Sequence, residues 1–179
     1  MCNDYWHKVV EGLKAALLDE RATAIFYAQQ RDMSRSFAGV DAFAEARKDE
    51  IDHAREITKL LEELTGMTPP EAVQLVYPPH CKSYCDGLLQ AIQGERNAGV
   101  EYSNIIKVSP YGYVNEALTE IISDEEVHLA KFSKLYEIEC QYNHYQPYQK
   151  ELKEQTEQTE QTGQKAQKVQ KGQEDDGNN

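Results

Sequence analysis

Glu50 and His53 stand three residues apart, and Glu125 and His128 repeat that spacing 75 residues later. On a helix, three residues turn through about 300°, so each carboxylate and its imidazole point roughly the same way. The same offset carries Glu20-Arg21 onto Glu95-Arg96, Tyr27 onto Tyr102, Asp49 onto Asp124 and Gly12-Leu13 onto Gly87-Leu88. Aligned without a gap, residues 12–62 match residues 87–137 at 15 of 51 positions. A repeat of this kind predicts two copies of one helical hairpin, neither able to bury its apolar face alone. Folding the copies together with two-fold symmetry brings four carboxylates and two imidazoles into one core. Six such groups cannot share a dry interior unpaired. Two divalent metal ions would resolve the conflict, with carboxylates bridging them and one imidazole on each. The expected metal-holding residues are therefore Glu20, Glu50, His53, Glu95, Glu125 and His128.

Four further residues are candidates for the layer around that set. Asp49 and Asp124 lie four positions before the histidines, on nearly the same helix face. A metal-bound histidine usually gives its other ring N–H to a carboxylate or carbonyl. The expected pairing is crossed, Asp49 with His128 and Asp124 with His53, and the alternative is exposed helix acids. Tyr27 and Tyr102, two turns from Glu20 and Glu95, could donate to carboxylates of the site or be ordinary core aromatics. His80-Cys81-x-x-x-Cys85 offers too few ligands for a closed metal site and reads as a loop pair of thiols.

The elements that must position these groups are helices. Val9, Leu13, Ala16, Leu17, Ala24 and Tyr27 recur at helical spacings within a helix expected over 4–33. Ser34 to Val40 reads as a hairpin break containing Gly39, with a second helix over 41–64 and Gly66 just past its end. Prolines 69, 70, 78 and 79 exclude a continuous helix over 65–83. Such a segment can span roughly 60 Å extended, against about 38 Å for a 25-residue helix, which suits a long crossover. Helices are expected again over 84–108 and 112–140. The fold class is all-α: an antiparallel four-helix bundle of two duplicated hairpins joined by that crossover. The domain spans 1–146. The aromatic run Tyr136, Tyr142, Tyr145 and Tyr148 closes it. The tail, 147–179, is rich in Gln, Glu and Lys with almost no apolar residue, and is expected to be disordered, with transient helix to about Glu160.

The chain of 179 residues carries a net charge of −12. The tail holds five lysines and seven acids, which leaves −10 on the body. A body so acidic does not suit nucleic acid, whose phosphates need Lys and Arg. No run approaches the roughly 18 apolar residues of a spanning helix, and no apolar secretory core follows the polar start. Four scattered cysteines do not form a disulfide framework. The expected location is the cytoplasm.

At these residues the sequence resembles the ferritin-like superfamily, and within it the rubrerythrin-type di-iron domain, over about residues 5–141. The resemblance implies two iron ions in a four-helix bundle, chemistry on peroxide or dioxygen, and assembly into homo-oligomers. The chain departs from rubrerythrins in two respects. It has no Cys-x-x-Cys, so the rubredoxin-type iron is absent and electrons would come from a separate donor protein or from Fe²⁺. Ala98 stands where rubrerythrins carry a further Glu. The ligand set is closer to the ferroxidase centre of bacterioferritins, but Ile51 replaces their haem-binding Met, so no haem is expected. Manganese catalases share the ligand logic, which keeps two manganese ions as the alternative. The tail, with Gln and Lys able to form amide cross-links, raises a second alternative: an iron-binding or structural ferritin-like protein of a spore.

Overall fold

The computed structural model describes residues 2–69 and 81–141. Four long helices are present: α1 (Cys2–Met33), α2 (Phe37–Thr65), α3 (Tyr84–Val108) and α4 (Gly112–Tyr136). There is no strand among the described residues. The first four positions of a helix leave backbone N–H groups without intrahelical partners, and serines supply them here. Ser36 accepts from the Gly39 amide and Ser83 from the Asp86 amide. Ser36 also explains a correction: α2 begins at Phe37, not Asp41, because the cap lies three residues before the glycine read as part of the break. Gly66 ends α2 at φ +70°, where an L side chain is strained, and its amide closes on the Glu62 carbonyl. The fourth helix, by contrast, is shorter than expected as α-helix. It ends at Tyr136, and Glu137–Gln141 is wound as a π-helical turn.

The chain divides into two units, Met1–Tyr136 and Glu137–Asn179. All four helices lie in the first. Of the second, only Glu137–Gln141 is described. The prolines of the crossover beyond Pro69, the aromatics Tyr142, Tyr145 and Tyr148, the boundary at 146 and the tail 147–179 fall outside the described residues.

Side-chain pairings fix the directions of the helices. Trp6 donates to the Leu64 carbonyl at 3.1 Å, and Tyr27 packs on Phe43, so α1 and α2 are antiparallel. Gly12 lies against Ile105 and Gly87 against Gln30, so α1 and α3 are antiparallel too. Asp49 meets His128 and Lys131 meets Glu45, which sets α4 antiparallel to α2. It follows that α2 and α3 run in the same direction. Most of the segment that joins them, read from the sequence as a crossover, lies outside the described residues.

Two apolar plugs bracket the middle of the bundle. At one end Val9, Leu13, Leu17, Ile57, Leu61 and Leu118 are buried together. At the other, Phe43 and Phe132 stack with ring centroids 4.6 Å apart and Tyr27 tilts against both. Each fully buried large side chain contributes roughly 1.5–3 kcal/mol of transfer free energy, so these layers hold the polar middle in place.

Candidate metal centre

Between the plugs lie the six groups that the repeat singles out. Each of Glu20, Glu50, His53, Glu95, Glu125 and His128 is 5 % exposed or less. The structure brings all six together. Their donor atoms form two overlapping groups, Glu20, Glu50, His53 and Glu125, and Glu50, Glu95, Glu125 and His128, with the atoms of each group within 4.8 Å of one another. Glu50 and Glu125 belong to both. Three residues of the first group come from the α1–α2 hairpin and the fourth from α4. The second group mirrors this, with Glu50 reaching across from α2.

The imidazoles are turned the same way in both halves. His53 Nδ1 faces inward, 3.3 Å from Glu125 and 3.6 Å from Glu20. His128 Nδ1 faces Glu125, Glu50 and Glu95 at 3.5–3.7 Å. Each Nε2 points outward to a carboxylate, His53 to Asp124 at 3.3 Å and His128 to Asp49 at 3.2 Å. Tyr27 donates its hydroxyl proton to Glu95, and Tyr102 donates to Glu20. The two tyrosines are thus crossed between α1 and α3, as the two aspartates are crossed between α2 and α4.

Among these groups several buried atoms make no hydrogen bond: Glu20 Oε2, Glu50 Oε1, Glu125 Oε1 and both inward Nδ1 atoms. Buried polar atoms are ordinarily paired, and leaving one unpaired costs about 1–3 kcal/mol. The titration behaviour follows from the same crowding. Burial pushes the Glu20 and Glu95 carboxyls up to about 8 and Glu50 well above its ordinary range. Burial opposes charge on the imidazoles, yet the pull of Glu125 outweighs it and raises His53 to about 9 and His128 to about 10. The same two histidines hold Glu125 down at about 2 despite its burial. Without a metal, protons screen these carboxylates from one another. The donor set fits a pair of divalent ions: unpartnered oxygens and neutral-capable imidazole nitrogens converge on two points, and oxygen with imidazole suits iron, manganese or zinc.

Sequence reasoning gave no role to Gly12 and Gly87, although their shared offset was visible. A Cβ on Gly12 would lie 2.8 Å from Ile105, and one on Gly87 would lie 1.8 Å from the Gln30 amide. These glycines let α1 and α3 approach closely at both ends of the site, so that each tyrosine reaches across. The expected thiol pair does not hold, because Cys85 is disulfide-bonded, as is Cys140.

Comparison with solved structures agrees with the architecture. The chain superposes on a ferritin-like, diiron-carboxylate protein of Bacillus anthracis with a TM-score of 0.64 at 18 % identity, covering 74 % of this chain and 97 % of the other. A conserved hypothetical protein of Mycobacterium tuberculosis gives 0.65 at 16 % identity, over 75 % and 94 % of the two chains. The fold is ferritin-like. The bacterioferritin BfrA of Mycobacterium tuberculosis matches this ferritin-like bundle at 0.58 and 19 % identity, over 73 % of this chain and 84 % of its own. No protein-family model matches, and no curated protein does. None of the described helices of the ferritin-like chain is long and apolar enough to cross a membrane.

Proposed function

We propose that the six buried residues hold two divalent metal ions, iron in the first instance and manganese as the alternative, and that the protein is a di-iron carboxylate protein acting on peroxide or dioxygen. One observation carries this reading: two four-residue donor groups that share Glu50 and Glu125. Glu50 and Glu125, members of both groups, would be shared by the two ions, with Glu20 and His53 holding one and Glu95 and His128 the other. The solved Bacillus anthracis protein of the same fold is described as a diiron-carboxylate protein, which supports the assignment.

When bound, such a metal pair supplies electrons for reduction of a small oxidant. The chain's own residues set the conditions. Asp124 and Asp49 stand against Nε2 of His53 and His128 and hold the ring proton there, so that Nδ1, aimed inward, is the nitrogen that would give up its proton to a metal. Tyr27 and Tyr102 donate to Glu95 and Glu20 and so fix which oxygen of each carboxylate is free to bind. The plugs around Phe43 and Leu118 keep bulk water from the ends of the site. Electrons would come from a separate donor protein or from Fe²⁺ as substrate, since no Cys-x-x-Cys is present in the chain.

The test is the metal content of the full-length protein, followed by anaerobic Fe²⁺ loading and rapid mixing with H₂O₂ or O₂. About two irons per chain with fast oxidation is the expected result, and the faster oxidant separates peroxidase from ferroxidase. Two manganese ions per chain with oxygen evolution from peroxide would shift the assignment to a catalase. Iron that is bound but does not turn over would leave sequestration. A folded protein that retains no metal would overturn the proposal.

A further inference from the structure

The outer surface of the α1–α2 hairpin holds a cleft of about 700 Å³ whose lining includes Glu50. That volume lies within the roughly 300–1,000 Å³ of small-molecule sites. Along its length Ala24, Ile25, Ala28, Ile51 and Ala54 present apolar surface. The charged groups that line it, Glu50 apart, are all cationic: Arg21, Arg47, Arg55 and Lys59. In a chain of net charge −12 this is a local reversal of sign. Arg55 and Lys59 are partly balanced by Asp52 and Glu56, at 2.6 and 2.7 Å. Arg47 differs, because its Nε is buried and makes no hydrogen bond. Arg47 is otherwise half-buried along the cleft and has no ion-pair partner among the described residues, so its outer N–H groups are left to an incoming acceptor.

The pseudo-symmetric surface on α3–α4 serves as an internal control. Arg21 and Lys59 have counterparts in Arg96 and Lys134, but the positions matching Arg47 and Arg55 are Ile122 and Ala130. Arg47 and Arg55 thus belong to one hairpin alone, whereas the buried centre belongs to both.

We propose that this cleft binds a small organic carboxylate with an apolar body. The planar guanidinium of Arg47 matches a carboxylate through two parallel N–H···O contacts. The alanine and isoleucine wall takes the hydrocarbon part. A bare metal cation is disfavoured here by the same arginines. The cleft therefore admits an organic anion to the neighbourhood of Glu50 without competing as a cation-binding site. The inference uses only the cleft and does not depend on a metal being bound.

The experiment is calorimetric titration of the full-length, metal-free protein with octanoate, alongside acetate and 1-octanol, which carry head and body alone. One octanoate per chain is expected, with acetate and octanol each bound at least about tenfold more weakly. Arg47→Met keeps the apolar stem and removes the fork. It should weaken octanoate at least about tenfold, while Arg96→Met leaves it unchanged. Helical circular dichroism checks that both variants fold. Ala28→Leu, which narrows the cleft with Arg47 in place, should weaken binding as well and serves if Arg47→Met does not fold. Equal affinity of wild type and Arg47→Met, equal binding of octanol and octanoate, or no binding at all would each overturn the proposal. A chain that is dimeric and gains octanoate binding only on dissociation would overturn it too, in favour of a second copy of the chain covering this face. Since no metal is present, these outcomes leave the metal-site proposal untouched.

Discussion

Inside the bundle the two hairpins are nearly interchangeable; outside they are not. Glu20, Tyr27, Asp49, Glu50 and His53 have identical counterparts 75 residues later, and each crossed contact in one half is repeated in the other. One turn from the site the identity fails. Phe43 and Phe132 fill one end, whereas their counterparts Leu118 and Ile57 fill the other. On the outer surface Arg47 and Arg55 face Ile122 and Ala130 across the same symmetry. The difference follows from what each residue answers to. A group at the centre interacts with both halves at once, so its type is fixed by the whole cluster. A plug needs only apolar volume, and a surface position answers to its own hairpin and its own ligand.

The sharpest way to break the internal equivalence is to remove its shared members. Replacing Glu50 and Glu125 together by Ala should abolish metal binding, taking the content from about two ions per chain to near zero. Glu20→Ala should spare one position and leave about one ion, as should its mirror Glu95→Ala. Elemental analysis of the folded variants decides the matter. Equal loss from Glu20→Ala and from the double variant would show that the two positions are not built as overlapping groups.

Next in size is the response to pH, which the buried centre should dominate. Glu20 and Glu95 are raised from 4.5 to about 8 in the folded chain, and the two histidines from 6.5 to about 9 and 10. In both cases the folded state holds protons that the unfolded state releases. The metal-free protein should therefore be most stable at mildly acidic pH and lose stability as pH rises from about 4.5 towards 10. Glu125, lowered to about 2, adds stability above its unfolded value that is lost only as pH falls towards 2. Metal binding must expel these protons, so metal affinity should rise over the same range in which the metal-free fold weakens. Thermal unfolding with and without metal, across pH, reads both slopes.

A finer asymmetry lies in the outer carboxylates. The Asp124 side chain is 56 % exposed and Asp49 only 27 %, and Lys131 bridges to Glu45 at 2.6 Å within one turn of Asp49. The counterparts of that pair are Glu56 and Glu120, two like charges. The position served by His53 should therefore exchange its metal faster than the one served by His128. Asp124→Asn and Asp49→Asn should each lower affinity about 10–100-fold, each at its own position. Isotope exchange with two resolved phases would show this, and a single phase would exclude it.

The smallest effects concern the glycines. Gly12→Ala and Gly87→Ala should each destabilise the fold by about 1–2 kcal/mol, because overpacking of roughly 1–3 kcal/mol exceeds the gain of up to about 1 kcal/mol from helix propensity. Gln30→Ala should rescue Gly87→Ala and leave Gly12→Ala unaffected, since only Gly87 meets the Gln30 side chain. Denaturant midpoints of the single and double variants measure the coupling.

Much of this was legible in the sequence, and for a physical reason. An acid inside an apolar stripe is rare, and two sets at one offset single out the buried cluster without coordinates. Which two carboxylates sit in both groups could not be read, because that depends on how the hairpins mesh rather than on spacing along either one. The start of α2 was misplaced because Gly39 resembles a break, while Ser36 makes it part of the first turn. Arg47 stood in plain view, yet on a helix rich in charge nothing in the pattern distinguishes a solvated guanidinium from a half-buried one that lines a cleft.

The overlap of the two donor groups has a consequence for how the molecule could be taken apart. Neither hairpin contains a complete set: each owns three members of one group and must borrow the fourth. A chain cut between α2 and α3 would give two peptides that are incomplete separately and complete together, so that ion uptake itself would report their reunion. By the same logic, one hairpin meeting its own duplicate would generate the whole constellation, which makes the fused chain a tethered form of a homodimer.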